Sequence, residues 1–127
     1  MNDRLVVLLV EQHANVSPSL FEFVQAFPDV DVIRADRFQQ AVEYISTLRR
    51  IDLLFCELIL PGMMSGLDVA EVAIDAHPAI AVVMMSSQEA ANLGSLANRC
   101  RVLQSPFGFE AIKSHVDNAL IRLRLNS

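Results

Sequence analysis

Six consecutive Val and Leu residues, LVVLLV at 5–10, set the terms for what this chain can fold into. A membrane span needs about 20 apolar residues and an ordinary helix needs more than one turn and a half, so the run is neither. Bounded by polar residues, it reads as a strand buried on both faces, and such a strand requires helices above and below it. The next residues supply them. Ser17-Pro18 is an N-cap followed by proline at the first helical position. Leu20, Phe23, Val24 and Phe27 then recur at helical spacing until Pro28.

The same alternation continues along the chain. A short strand is predicted over 30–34, and Asp36 is read as the cap of a helix with Phe38, Val42, Ile45 and Leu48 on its inner face. LLFCE at 53–57 is a second fully buried strand. Pro61, Gly62 and Gly66 punctuate a loop, and Ser65 with Asp68 makes a capping box for a helix that stops near His77-Pro78. A third buried strand is predicted over 80–85, then a weak helix over 88–97 that contains Gly94, then a strand over 101–104. A long last helix follows Pro106, with Ile112, Val116, Ala119 and Leu123 facing inward. Five βα units with no linker or repeat imply an α/β fold of one domain, residues 1–127, with a parallel sheet doubly wound by right-handed crossovers.

Composition removes several classes of function. Of 127 residues, 53% are hydrophobic and 20% charged, which excludes disorder. Lys and Arg number 10 against 15 Asp and Glu, a net charge of −5 that argues against nucleic acid as a partner. Arg99, Arg101, Arg122 and Arg124 are accordingly read as solvated charges. The apolar runs predict no membrane partner, and no small-residue cleavage site follows the first of them, so a cytoplasmic location is expected. Cys56 and Cys100 lack CxxC spacing and read as buried thiols. His13, His77 and His115 are scattered and form no ligand set, so no metal is expected from them.

In doubly wound sheets the functional end lies beyond the carboxyl ends of the strands. The residues there are Glu11, Gln12 and His13; Glu57; Ser86 and Ser87; and Gln104 and Ser105. On these positions the chain resembles a response-regulator receiver domain of two-component signalling, over essentially its whole length. An acidic residue follows the first strand at Glu11, and a carboxylate ends the third at Glu57. Pro61 comes four residues later, and Gly66 closes the loop. A hydroxyl residue ends the fourth strand at Ser86, and the last strand runs into Pro106-Phe107. The resemblance implies a flavodoxin-like five-stranded sheet in the order 2-1-3-4-5. That order would separate the two thiols by two strand positions, roughly 9–10 Å, beyond disulfide reach.

The chemistry that the resemblance implies is a phosphorelay. An acidic pair holds Mg²⁺, an Asp accepts a phosphoryl group, a hydroxyl and a Lys bind it, and an aromatic reports it. Carried over, the acidic pair is Glu11-Gln12, the acceptor position is Glu57 and the hydroxyl is Ser86. Ser105 stands where the lysine is missing, and Val102 where the switch aromatic is missing. The loop PGMMSG is also one residue longer than the usual form. Glu57 displaces its carboxylate by about a C–C bond, ~1.5 Å, and a misplacement of about 1 Å can lower a positioned reaction a hundredfold. Ser105 removes a fixed cation from a developing anion, and Gln12 removes one carboxylate from Mg²⁺.

The reading is a degenerate receiver, a pseudo-receiver that is not an enzyme and acts through a protein partner such as a histidine kinase or an output domain. It carries no cofactor, and Mg²⁺ binding is expected to be weak or absent. Alternatives are a receiver still accepting phosphate slowly at Glu57 or a neighbour, and a small-ligand module of the same fold. Glu57 itself is either a phosphate mimic or an inert carboxylate pointing to water. Met63 and Met64 suit a partner surface or a loop packed on Leu67. Ile121 and Leu125 lie off the inward stripe of the last helix and, with Leu93 or Leu96, are the candidate interface for a homodimer or partner.

Overall fold

The LVVLLV run forms strand β1 (Leu5–Val10). It pairs with β2 (Val30–Ala35) on one side and β3 (Leu53–Glu57) on the other. Strands β4 (Ala81–Ser86) and β5 (Cys100–Gln104) complete a sheet in which every pairing is parallel and the order is β2-β1-β3-β4-β5. The computed structural model describes residues 4–11, 18–86, 93–104 and 107–126, with the side chains of Pro18 and Ser19 left aside. The predicted cap at Ser17 and the residues Gln12, His13, Ser87 and Ser105 lie outside the described residues.

Both faces of the sheet are covered, which is why β1, β3 and β4 are apolar without alternation. Helices α2 (Phe38–Thr47) and α3 (Gly66–Ala76) bury Ala41, Ile45, Val69, Ala70 and Ala73 against Leu8, Val10, Leu54, Cys56 and Met84. On the opposite face α1 (Pro18–Gln25) and α4 (Phe109–Leu125) bury Leu20, Val24, Ile112 and Val116 against Leu5, Val7, Leu9, Phe55 and Met85. Met84 and Met85 thus go one to each face. Cys56 and Cys100 are buried and unbonded, on strands separated by β4.

Several local expectations need correction. The N-cap of α2 is Arg37 rather than Asp36, and it makes no side-chain cap bond. Instead the Gln40 side chain reaches back to accept from the Asp36 N–H at 2.9 Å. The inner face of α2 is Ala41 and Ile45, with Phe38 and Leu48 partly buried against the same core as expected, and Ala41 rather than Val42 at its centre. On α4 the buried stripe runs through Leu120, with Leu123 only partly buried. In the predicted 88–97 helix, the described part is one 3₁₀ turn, Gly94–Leu96. Gly94 adopts φ 58°, in the left-handed region, which a right-handed α-helix cannot accommodate. The box at Ser65 forms as read: the Ser65 N–H donates to Asp68 Oδ2 at 2.6 Å, and the Ser65 hydroxyl accepts from Leu67 N–H at 3.2 Å. Nor are Arg99 and Arg122 simply solvated. Arg99 Nη2 donates to the carbonyls of Pro78 and Ile80 at 3.0 and 3.3 Å, and Arg122 Nη2 to that of Ala79 at 3.2 Å. They clamp the turn that feeds β4.

Candidate functional site at the carboxyl end of the sheet

Strand ends bring Glu11, Arg34 and Glu57 to the same rim. Glu11 directly follows β1, and its N–H donates to the Ala35 carbonyl at 3.0 Å, which extends the β1–β2 ladder by one bond. Leu5, Val7 and Leu9 face α1 and α4, so period two carries Glu11 onto that face as well. The same counting along β3 from Leu53 and Phe55 takes Glu57 there. Glu57 is half-buried and pairs in register with Met85 of β4. Ser86 is buried at the end of β4, opposite Gln104.

Glu11 is the unusual member. It is only 3% exposed, and its Oε2 has no hydrogen-bond partner among the described residues. Burial raises its pKa to about 7, Arg34 pulls it down, and the charge of Glu57 pushes it up further. Arg34 Nη2 lies 3.9 Å from Glu11 Oε1, an ion pair longer than a hydrogen bond. The guanidinium sits over the Phe21 ring of α1, 5.3 Å from its centroid. Sequence reading passed over Arg34. Its signal was present, because Arg34 continues the inward phase of Val30 and Val32 along β2. A cation in that phase needs a buried partner.

The loop after β3 is held by backbone. Leu58 N–H donates to the Met85 carbonyl, and Gly66 N–H to the Leu58 carbonyl, each at 2.8 Å. Gly66 passes so close that an added Cβ would lie 2.1 Å from the Glu57 carbonyl oxygen. In the same loop Met63 and Met64 are exposed. Val102 sits on the edge strand opposite Met84 and is exposed. Ile121 and Leu125 are 53% and 78% exposed. Leu93 does not join them: at 7% exposure it packs into the α2–α3 core, and Leu96 leans on the same cluster. Leu93 is therefore withdrawn from the candidate interface, since a side chain already covered by its own domain has no area left to give a partner.

Solved structures share this architecture along nearly the full chain. The signal receiver domain of an HD domain-containing protein from Pseudomonas fluorescens Pf-5 superposes with a TM-score of 0.83 at 18% identity, over 99% of this chain and 93% of that one. The chain has the receiver-domain fold. A response regulator receiver domain protein from Clostridium thermocellum matches at TM-score 0.81 and 16% identity, over 97% and 99%. The Thermotoga maritima response regulator protein TrrA, solved in complex with Mg²⁺-BeF, matches at 0.78 and 18%, over 91% and 98%. No family model matches the chain, and neither does any curated protein sequence. Within the described residues, no helix of this receiver fold is long and apolar enough to cross a membrane.

Proposed function

We propose that the chain is a degenerate receiver, a cytoplasmic signalling module that works by binding other proteins and not by efficient phosphoryl transfer. The observation that carries this reading is the residue set at the strand ends: Glu57 stands at the acceptor position in place of aspartate, and Ser105 and Gln12 stand where the fold family has a lysine and a second acid. Phosphoryl transfer depends on cations to neutralise the charge that develops on the transferred oxygens. Ser105 offers none where the fold family has lysine. Partners fitting the reading are a histidine kinase, an output domain or a second copy of the chain. Exposed Ile121 and Leu125 support a contact face on α4.

The test is incubation with acetyl phosphate and Mg²⁺, followed by intact mass. The expected result is no phosphoryl adduct after hours. A stoichiometric adduct within minutes would overturn the proposal, and a slow adduct mapped to Glu57 would favour a receiver that still accepts phosphate.

A further inference from the structure

A buried acid needs charge to balance it, and among the described residues Arg34 stands within reach of Glu11. Arg34 approaches Glu11 from β2, with Nη2 at 3.9 Å. Its own nitrogens Nε and Nη2 are buried without hydrogen-bond partners among the described residues, as is Glu11 Oε2. With Nε and Nη2 unpartnered among the described residues, the guanidinium is positioned by the Phe21 face beneath it and the carboxylate beside it. Arginine does not lose its proton in proteins, so the charge is permanent.

The fold family implies Mg²⁺ in this place, and the residues present do not fit it. Mg²⁺ demands near-octahedral oxygen ligands and is usually held through one or two carboxylates. The buried Glu11 carboxylate already faces a guanidinium, whose charge repels a dication. We propose that Arg34 is the resident counter-ion of this pocket and fills from β2 the electrostatic place of a divalent cation. The inference deepens the degenerate-receiver reading and rests on it: the pocket is closed to metal by an internal charge, in addition to having lost ligands.

Mn²⁺ alone, titrated into the full chain and followed by electron paramagnetic resonance, tests this. Arg34→Gln is expected to bind Mn²⁺ at least about tenfold more tightly than the wild type, the scale on which one nearby charge shifts a carboxylate equilibrium. Adding Glu11→Gln to that variant is expected to erase the gain, and Arg34→Lys, which keeps the charge, to leave binding at the wild-type level. Equal Mn²⁺ affinity in wild type and a folded Arg34→Gln overturns the proposal. Should Arg34→Gln fail to fold, Phe21→Leu removes the ring that seats the guanidinium, and a gain of a few-fold is expected there; no gain overturns the proposal equally. A chain that takes no phosphate yet fails the Mn²⁺ test keeps the receiver reading and loses only the role of Arg34.

Discussion

Glu11 shows how one side chain can set the pH response of a domain. Its carboxyl has an ordinary pKa of 4.5 and is held at about 7 in the folded chain, first by burial. Between those values the folded chain keeps a proton that the unfolded chain has released, so stability falls as pH rises. The stabilisation is complete below 4.5 and is gone once pH passes 7. His115 acts in the opposite sense. Burial and then Arg101 hold it below its usual 6.5, so folding is penalised as pH drops through that range. Comparison with Glu11→Gln cancels the histidine. In urea titrations from pH 5 to 8, the wild type should lose up to about 3 kcal/mol relative to the variant, and a flat difference would contradict the burial of Glu11. Gly66 is the second residue whose identity is dictated by its surroundings. In Gly66→Ala the new Cβ would also lie 2.9 Å from Leu58 Cα, and backbone atoms cannot swing aside as a side chain can. A loss of about 3 kcal/mol or more is expected by urea denaturation. Retention of wild-type stability would mean that the loop after β3 shifts freely.

Among the elements, α4 has an unspent face. Ile112, Val116, Ala119 and Leu120 enter the core, and Arg122 reaches back to the Ala79 carbonyl at 3.2 Å. Ile121 and Leu125, four residues apart, therefore share the outer side, half and more exposed. If this face binds a second copy or a partner, changing both to Lys should lower the mass seen by light scattering or abolish partner capture, with the circular dichroism spectrum unchanged. Unaltered mass and capture in a folded variant would remove α4 as the working surface. The same counting that exposed Ile121 and Leu125 in the sequence missed Leu120. Leu120 joins the core that α4 shares with α1.

At the scale of the molecule, stability should be graded across the sheet. Strands β1 and β3 are paired on both edges and buried on both faces, whereas β5 is an edge strand with Arg101, Val102 and Gln104 exposed. Amides of β1 and β3 are expected to exchange only with global unfolding, and those of β5 through smaller openings. Hydrogen exchange followed by NMR checks this order; equal protection of β5 and β1 would contradict it.

Sequence alone determined the five strands, the helices that follow the first three and the last of them, the parallel sheet and the cap at Ser65, because each rests on spacing or on a bond between near neighbours. The buried runs at 5–10 and 53–57 carry their own evidence of two-sided cover. It also placed Glu11, Glu57 and Ser86 at strand ends, since the carboxyl end of a strand can be counted. Only the tertiary structure decided that Arg34 meets Glu11, that Leu93 turns inward and that Gly66 brushes the Glu57 carbonyl. Each of those depends on how far apart two segments lie once the sheet has twisted and the helices have settled on it, and no periodicity within either segment encodes that distance.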